Sequence, residues 1–377
     1  MTYTGFISQS KETLDTPALL VDLDVLESNI ERMATTIIQQ AGVNWRPHTK
    51  GMKTPALAHM LLDAGAHGIT CAKLGEAEVM ATAGVRDILI ANQIVGQQKI
   101  ARLVNLRRHT DIMVAVDNEH NIAALDHAAT EKGVCLRVLI EVDVGMNRAG
   151  VLPGEPVLAL ARKIAPLKGV HLAGLMTWES HALSIKEPNE KRQVVASALQ
   201  QFTQSAQMCT DAGMPIDILS CGGTGTYWLS AFQPGITEIQ AGGGIFCDVR
   251  YRTVFGVEHE YALTVLSIVT SRPTPTRIIC DAGKKTMSSD ASVPQPIGVV
   301  GVKSVALSAE HGTVELAEPN EKPFVGDRIE FIAGYSDTTV VLHNELIGIR
   351  DGRVETVWPL LARGRLQERV WLLTMLR

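Results

Sequence analysis

The stretch Asn44-Trp45-Arg46-Pro47-His48-Thr49-Lys50-Gly51-Met52-Lys53 brings cations, a histidine and a proline together within one short segment. It lies between an amphipathic helical pattern that ends near Ile38 and a second helical pattern that begins near Thr54. Lys50 therefore falls at the end of a short predicted strand, behind a rigid Arg-Pro-His lead-in. Nearby cations and partial desolvation both favour a neutral, reactive lysine amine. The stretch predicts a Schiff-base lysine in a pocket, and the alternative is a solvated basic turn.

Short apolar runs alternate with longer helical patterns from residue 15 to about residue 245. The runs that we interpret as strands are Asn44–His48, Gly68–Lys73, Ile88–Asn92, Ile112–Asp117, Leu136–Asp143, Val170–Met176, Asp217–Cys221 and Glu238–Gly242. Eight strands that alternate with helices are typical of a (β/α)8 barrel, whereas a doubly wound sheet usually has about five to seven. Lys50, Asn92 and Asp143 lie where runs end, on the face at which barrel enzymes place their chemistry.

After about residue 250 the pattern changes to strands with little helix between them. These predicted strands are Tyr261–Thr270, Arg277–Asp281, Lys303–Leu307, Thr313–Ala317, Arg328–Ile332, Val340–His343, Leu346–Arg350 and Arg353–Trp358. We expect the early strand Ala18–Asp22 to pair with them. The sequence therefore predicts a (β/α)8 TIM barrel at residues 24–248 and an all-β domain from residues 1–23 and 249–377. The apolar tail Val370–Arg377 would dock on the β domain or on a partner subunit.

The composition is that of a globular protein with reduced thiols. The 377 residues are 46% hydrophobic and 20% charged, which allows one large core and a smaller one. A formal charge of −5 argues against nucleic acid or an anionic membrane as a partner. The six cysteines form no CxxC pair and mostly lie in apolar runs. Residues 1–13 lack a signal-peptide region and no run approaches a membrane span, so we expect a cytoplasmic protein.

Two glycine clusters follow the last two predicted barrel strands. Ser220-Cys221-Gly222-Gly223-Thr224-Gly225-Thr226 follows the seventh run, and Gly242-Gly243-Gly244 follows the eighth. Backbone N–H groups in such loops converge on anions, and this is the usual phosphate position in these barrels. Neither cluster fits a P-loop or a dinucleotide G-x-G-x-x-G motif, and a pair of flexible turns is the alternative. A lysine after the first strand with a phosphate cradle after the last two describes pyridoxal 5′-phosphate (PLP) in a barrel.

At this point the sequence resembles the D-threonine aldolase / D-serine dehydratase family, which comprises alanine-racemase-like PLP enzymes of fold type III. The resemblance runs from Asp15 to about Gly364. The motifs that carry it, in order, are Asp15-Thr16-Pro17-Ala18, Arg46-Pro47-His48-Thr49-Lys50, Gly68-Ile69-Thr70-Cys71-Ala72-Lys73, Glu76-Ala77-Glu78, Val116-Asp117-Asn118, Glu141-Val142-Asp143-Val144-Gly145, Arg148-Ala149-Gly150, Gly222-Gly223-Thr224-Gly225, Asp281-Ala282-Gly283-Lys284, Glu310-His311-Gly312 and Val357-Trp358. Such ordered agreement is specific to the family.

The resemblance implies roles for individual residues. Lys50 would be the Schiff-base lysine, and Lys53 is the less favoured alternative. The phosphate would rest mainly on the backbone amides of Gly223, Thr224, Gly225, Gly243 and Gly244. The remaining cofactor-binding residues would be His48, Asn92, Arg148 and Trp178. Trp178 stands in the place of an aromatic residue that packs beside the cofactor.

The sequence departs from the family at its divalent-metal site, which would take Mg²⁺, Mn²⁺ or Zn²⁺. The family motif Pro-x-His-x-Asp or Pro-x-His-x-Cys reads Ala333-Gly334-Tyr335-Ser336-Asp337 here. Asp337 remains as the predicted ligand, but Tyr335 replaces the histidine, and neutral tyrosine is a poor ligand for a divalent ion. His343 and Glu345 form a nearby His-x-Glu pair, which we interpret as part of a structural strand.

Two further departures concern acid–base groups and space. In the segment Trp178-Glu179-Ser180-His181, Glu179 and His181 are available as acid or base groups after the sixth strand. Tyr335 is a third candidate for such a role. Gly243-Gly244 stands where relatives carry Ser-Tyr, which opens space near the phosphate.

The resemblance implies a PLP-dependent carbon–carbon lyase, an aldolase that cleaves D-3-hydroxy amino acids to glycine and an aldehyde. One alternative is β-elimination by a D-serine or D-3-hydroxyaspartate dehydratase, in which Lys50 removes the Cα proton. Another is a metal-independent amino-acid racemase or epimerase, which needs two bases. A PLP-binding homeostasis protein without turnover is the non-enzymatic alternative, and the β domain argues against it. The substrate would be a small D-amino acid, and the expected assembly is a homodimer.

Overall fold

A computed structural model describes residues 7–367 of the chain, so the tail Val370–Arg377 considered above lies outside the described residues. The strands, in chain order, are β1 (Ala18–Asp22), β2 (Asn44–Trp45), β3 (Ile69–Cys71), β4 (Asp87–Gln93), β5 (Asp111–Val116), β6 (Leu136–Val142), β7 (Val170–Thr177), β8 (Ile218–Cys221), β9 (Glu238–Ile239), β10 (Leu263–Thr274), β11 (Arg277–Cys280), β12 (Gln295–Pro296), β13 (Val302–Leu307), β14 (Gly312–Leu316), β15 (Arg328–Ile332), β16 (Glu345–Arg350) and β17 (Arg353–Pro359).

Some helices begin at residues that act as caps. Asn118, for example, accepts a hydrogen bond from the N–H of Asn121 at the start of one helix, and Pro188 occupies the first position of another. The α-helices are α1 (Leu23–Ala34), α2 (Pro55–Asp63), α3 (Leu74–Thr82), α4 (Gln97–Arg107), α5 (Glu119–Glu131), α6 (Glu155–Ile164), α7 (Pro188–Asp211), α8 (Tyr227–Ser230), α9 (Val249–Thr253) and α10 (Ser336–Thr339).

The chain divides into two compact units. Of the described residues, the barrel unit comprises Ala34–Lys50, Thr54–Gly242 and 362–367. The strand unit comprises residues 7–33, Gly51–Lys53 and Gly243–Leu361. The domain limits that the sequence predicts, 24–248 and 1–23 with 249–377, stay a prediction.

The barrel unit contains a parallel sheet in the order β2-β9-β8-β7-β6-β5-β4-β3. A parallel bridge between His48 and Thr70 joins its two ends, and the Thr70 N–H donates to the carbonyl of Pro47 at 2.9 Å. Small and medium apolar side chains such as Leu89, Met113 and Leu139 pack in one buried cluster. Each strand predicted for the barrel is present, and the predicted (β/α)8 architecture is confirmed.

A buried arginine ties the short strand β2 to its neighbours. Arg46 is 1% exposed, and its Nε lies 2.7 Å from Oε2 of Glu238 while its Nη1 lies 2.7 Å from Oδ1 of Asp87. Glu238 also accepts a hydrogen bond from the Ser220 hydroxyl at 2.7 Å. Burial by itself lowers the pKa of Arg46, but the two carboxylates outweigh this effect and raise it. The group therefore stays charged and links strands from both ends of the sheet order.

The strand unit contains a mixed sheet in the order β13-β14-β11-β10-β1-β16-β17, with β15 paired to β10 and β12 paired to β15. The early strand β1 runs antiparallel to β10 and parallel to β16, so the predicted pairing of Ala18–Asp22 with the late strands is confirmed. A cluster that includes Leu20, Leu266 and Ile347 lies in its core.

The predicted strand Val340–His343 is wrong. Ser336–Thr339 forms α10, and Val340–Leu342 continues it as a 3-10 turn. The β-branched residues of this segment favour a strand, but the carboxylate of Asp248 accepts hydrogen bonds from the Ser336 N–H at 2.7 Å and its hydroxyl at 2.8 Å. That contact starts a helical turn, and tertiary context overrides the β propensity.

Two properties concern the whole described chain. All six cysteines lie within residues 7–367, and none of them forms a disulfide there. Cys135 is exposed and the other five are buried, in agreement with the predicted reduced core thiols. No helix among the described residues combines the length and the apolar character needed to cross a bilayer.

Replacing Arg46 tests its role in the barrel. We expect Arg46→Ala to lower the free energy of unfolding by about 3–5 kcal/mol, because Glu238 would be left buried and unpaired. The matched control is Arg137→Ala, which removes a partly exposed pair with Asp111 and should cost about 0–1 kcal/mol. Urea unfolding followed by circular dichroism measures both. Similar losses for the two variants would contradict the assignment.

Candidate active site

Lys50 lies in a 3-10 turn, Thr49–Gly51, that follows β2 in the chain. Its backbone N–H donates a hydrogen bond to Nδ1 of His48, and the two nitrogens are 3.3 Å apart. The neighbouring Thr49 is fully buried, and its hydroxyl donates to Oε1 of Glu76 at 2.8 Å. Glu76, 1% exposed at the start of α3, therefore holds the turn that presents Lys50.

An aromatic ring lies beside the Lys50 amine. Nζ of Lys50 is 5.0 Å from the centroid of the Trp178 ring, and Cζ of Arg148 is 5.5 Å from the same centroid. Both distances are in the range of cation–π attraction. Arg148 also lies 3.4 Å from the carboxylate of Glu141, which is 5% exposed at the end of β6. The predicted residues Lys50, Trp178 and Arg148 are thus brought together.

Glu179 anchors the glycine loop that follows β8. The side chain is completely buried, and its Oε1 accepts hydrogen bonds from the hydroxyls of Thr226 at 2.6 Å and Ser230 at 2.5 Å. Its Oε2 accepts from the N–H of Gly222 at 3.3 Å. Gly222 has a φ of +77°, which favours glycine. These contacts make Glu179 a support for the loop, and its role as acid or base stays a prediction.

The glycine loop approaches Trp178 closely. A Cβ on Gly223 would lie 2.7 Å from Nε1 of Trp178, so no other residue fits without movement. The Trp178 Nε1 is buried and has no hydrogen-bond partner among residues 7–367. The loop thus presents a glycine backbone to the tryptophan whose ring lies beside the cations Lys50 and Arg148. This arrangement fits the anionic phosphate of PLP.

His48 and Asn92 hold the ends of their strands. The N–H of His48 donates to the carbonyl of Gln240 at 3.0 Å. The amide nitrogen of Asn92 donates to the carbonyl of Ala72 at 3.0 Å, which ties the end of β4 to the end of β3. The cofactor-binding roles of both residues stay predictions.

His181 lies in the 3-10 turn Ser180–Ala182 and is exposed. Its ring atoms lie 3.0–3.2 Å from the position that a Cβ on Gly145 would take. Gly145 has a φ of +131°, so the loop after β6 passes close to the ring only because it has glycine there. The imidazole is therefore held between the loops that follow β6 and β7.

In the strand unit, Tyr335 and Asp337 form a hydrogen-bonded pair. The Tyr335 hydroxyl donates to Oδ2 of Asp337 at 3.1 Å, and a Cβ on Gly51 would lie 2.5 Å from Oδ1 of Asp337. Burial, followed by the negative charge of Asp337, raises the pKa of Tyr335 well above its ordinary value. Tyr335 is therefore a neutral phenol. Gly243 lies in the same unit, and a Cβ there would collide with the Tyr251 hydroxyl.

These residues do not fit a divalent-metal site. No group of three or more histidine, cysteine, aspartate or glutamate side chains suited to a metal occurs among the described residues. Tyr335 stays protonated, and the carboxylate of Asp248 is occupied by Ser336 and by the N–H of Tyr251. His343 lies 2.9 Å from the carbonyl of Thr286 through its Nε2. The donor set is therefore too small for Mg²⁺, Mn²⁺ or Zn²⁺.

Sequence reasoning missed the structural carboxylates. Asp248 is fully buried, and burial raises its pKa to about 7. Its only sequence signal was its place before a short helical pattern, which is the N-cap position. Sequence reasoning also did not predict that Glu76 holds the turn that contains Lys50, although Glu76 belongs to one of the motifs that carry the resemblance. Neither contact follows from local spacing.

The comparisons with known proteins agree with this geometry. The model of the alanine racemase N-terminal domain matches residues 21–249, and that of a putative serine dehydratase domain matches residues 262–349. The chain is 36% identical over 354 residues to D-threonine aldolase of Arthrobacter sp, with 93% of each chain covered. It is 31% identical over 362 residues to 3-hydroxy-D-aspartate aldolase of Paracoccus denitrificans (strain Pd 1222), again with 93% of each chain covered.

Dehydratases are also among the relatives. The chain is 33% identical over 282 residues to D-threo-3-hydroxyaspartate dehydratase of Delftia sp. (strain HT23), with 74% of each chain covered. Among solved structures, D-threonine aldolase from Filomicrobium marinum superposes with a TM-score of 0.92 at 32% identity, covering 96% of this chain and 99% of that one. The resemblance seen in the motifs is therefore confirmed, and the chain belongs to the alanine racemase N-terminal domain family, as a relative of the D-threonine aldolases.

Proposed function

We propose that this chain is a PLP-dependent lyase that cleaves D-3-hydroxy amino acids to glycine and an aldehyde. The observation that carries the proposal is the grouping of Lys50, Trp178 and Arg148 in the barrel unit, with the glycine loop after β8 against the same tryptophan. The similarity to aldolases acting on D-threonine and on 3-hydroxy-D-aspartate supports a 3-hydroxy substrate. When bound, PLP supplies an electron sink for the electrons of the Cα–Cβ bond.

The residues of the chain bind and orient in this reaction. Gly223, Thr224 and Gly225 would hold the phosphate, and Gly243 and Gly244 remain proposed phosphate contacts. Lys50 carries the amine that holds the cofactor, in a turn fixed by Thr49 and Glu76. Arg148 and the Trp178 ring present a cation and an aromatic face beside that amine. This fixed geometry lowers the entropic cost of reaching the reactive arrangement.

We assign removal of the substrate β-hydroxyl proton to an imidazole nitrogen of His181. A general base needs an accessible lone pair. Both oxygens of Glu179 accept hydrogen bonds from the loop, whereas the His181 ring is exposed beside Gly145. Tyr335, the further candidate acid or base, is a neutral phenol whose hydroxyl donates a hydrogen bond to Asp337.

β-Elimination is the second candidate, favoured by the match to a serine dehydratase domain over residues 262–349 and by the dehydratase relative. In that reaction Lys50 would remove the Cα proton and the β-hydroxyl would leave. Racemisation remains a third possibility within the predicted set. A homodimer, a cytoplasmic location and a small D-amino acid substrate are further parts of the proposal.

The first test identifies the lysine that holds the cofactor. The protein is incubated with PLP, reduced with borohydride and digested, and peptide masses are compared for Lys50→Ala and Lys53→Ala. We expect labelling of Lys50 in the wild type and in Lys53→Ala, and none in Lys50→Ala, because the amine is the nucleophile. Lys53 has a φ of 55° and lies in the strand unit. Labelling of Lys53 would refute the assignment.

The second test identifies the reaction and its metal requirement. D-threonine is supplied with PLP, with and without EDTA, and products are followed by chromatography. We expect glycine and acetaldehyde in equal amounts, unchanged by EDTA, because the donor set around Asp337 does not suit a divalent ion. Formation of 2-oxobutanoate and ammonia would identify a dehydratase, and altered stereochemistry alone would identify a racemase. Loss of activity in EDTA would contradict metal independence.

The third test concerns His181. We expect His181→Asn to lower kcat by about 10²- to 10⁴-fold, the usual contribution of a general base, with PLP binding retained. The matched control is His127→Asn, since His127 is exposed on α5 and pairs only loosely with Glu131. Steady-state kinetics with D-threonine gives kcat, and absorbance titration gives cofactor affinity. Unchanged kcat would remove His181 from the mechanism.

A further inference from the structure

Lys191, in the first turn of α7, is a buried lysine that no step of the proposed reaction uses. It is only 6% exposed, and lysine is among the residues that are least often buried. Burial lowers the pKa of its amine to about 8, so the group is mostly charged at pH 7. A buried charge costs free energy unless polar groups compensate for it. Its contacts therefore indicate what the amine does.

The Lys191 amine contacts two other segments of the barrel unit. Its Nζ donates a hydrogen bond to the backbone carbonyl of Leu183 at 3.3 Å. The same Nζ lies 5.2 Å from the centroid of the Trp228 ring in α8, which is in the range of cation–π attraction. One side chain thus joins the start of α7 to Leu183 and to α8.

Leu183 is the residue at which the turn that carries His181 ends. The N–H of Leu183 donates to the carbonyl of Ser180 at 3.1 Å, and this bond closes the 3-10 turn Ser180–Ala182. Leu183 is itself buried, at 8% exposure. The hydrogen bond from Lys191 therefore holds the last residue of a turn whose middle residue is His181.

The other end of the same turn is held by Glu179. Its carboxylate accepts a hydrogen bond from the Ser230 hydroxyl in α8, the helix that also carries Trp228. Two buried charged side chains, Glu179 and Lys191, thus fix the two ends of the turn against one short helix. Because the His181 side chain is exposed, the backbone of this turn largely determines where its imidazole lies.

We propose that Lys191 is a positioning residue, whose ammonium group holds the Leu183 carbonyl and thereby fixes the turn that presents the His181 imidazole. The inference rests on the proposed role of His181 as the base and deepens it. Lys191 acts through the backbone and performs no step of the reaction. Such positioning matters because a displacement of about 1 Å at a reacting group can lower the rate on the order of 10²-fold.

The first experiment is a double-mutant cycle with His181. Lys191→Met keeps the apolar stem and removes the charge and the N–H donors. We expect kcat with D-threonine to fall about tenfold, with KM and PLP affinity unchanged, because a charge-assisted hydrogen bond away from the binding groups is lost. In the His181→Asn background the same substitution should lower kcat no further, since the imidazole that it positions is absent.

The control for the cycle is Lys163→Met, which replaces an exposed lysine on α6 that pairs with Glu119. It should leave kcat unchanged in both backgrounds. A purely structural role of Lys191 would lower kcat by the same factor with and without His181, and that result would overturn the proposal. An unchanged kcat in Lys191→Met would overturn it as well.

The second experiment observes the imidazole directly and needs no turnover. The chain has 11 histidines, so NMR spectra of protein with 13C-labelled histidine give few ring signals, and His181→Asn assigns the relevant one. We expect Lys191→Met to shift or broaden the His181 signal and to leave that of His127, on α5, unchanged. An unchanged His181 signal would overturn the proposal.

A second variant serves both experiments if Lys191→Met does not fold, which urea unfolding shows. The side chain of Lys191→Gln is one bond shorter, so its amide falls short of the Leu183 carbonyl and the same results are expected. The outcome is also separable from that of the proposed function. A wild-type protein that cleaves no D-3-hydroxy amino acid would refute the aldolase proposal, and the His181 signal would still decide the role of Lys191. Independent effects of Lys191→Met and His181→Asn in a protein that cleaves D-threonine would refute the positioning role alone.

Discussion

The ion pairs of Arg46 are the interaction on which the barrel unit depends most. β2 comprises only Asn44–Trp45, so its ladder supplies few backbone hydrogen bonds. Arg46 is the next residue, and its side chain forms ion pairs with Glu238 in β9 and with Asp87 in β4. The side chains of Arg46 and Glu238 are almost wholly buried. Breaking such a buried pair is strongly destabilising, because it leaves an uncompensated buried charge. Lys50 follows four residues later, so this pairing also fixes the start of the segment that presents the Lys50 amine.

A second buried carboxylate, that of Glu179, holds the glycine loop in place. Glycines make a loop permissive, and permissive loops lose entropy when they order around a ligand. Glu179 reduces that loss because it already holds Thr226, Ser230 and Gly222 in place. Trp178 and Glu179 are neighbours in the chain that differ in hydrogen bonding. Both carboxylate oxygens of Glu179 accept hydrogen bonds, whereas the indole N–H of Trp178 has no acceptor among residues 7–367.

In the strand unit, hydrogen bonds organise the segment in which the resemblance implies a metal. Asp248 caps the turn that begins at Ser336, and Tyr335 donates to Asp337. The phenol remains neutral because burial raises its pKa, so it contributes a donor where a ligand would have to be an acceptor. A single replacement at position 335 therefore changes the chemistry of the whole turn.

Hydrophobic periodicity was sufficient to predict the barrel and most strands of the second unit, because periodicity reports directly which face of an element is buried. Local motifs likewise predicted a Schiff-base role for Lys50 and a phosphate-binding role for the glycine loop, since strained turns and reactive lysines need particular residue types. The contacts of Arg46 with Glu238 and of Glu179 with Thr226 join residues 192 and 47 positions apart. The turn at Val340–Leu342 likewise depends on a residue that is distant in the sequence, Asp248, which hydrogen-bonds Ser336. The sequence by itself thus determined the architecture and pointed to Lys50, whereas the tertiary structure alone decided which carboxylates support the strands and the glycine loop, because those partners meet only after the sheets have formed.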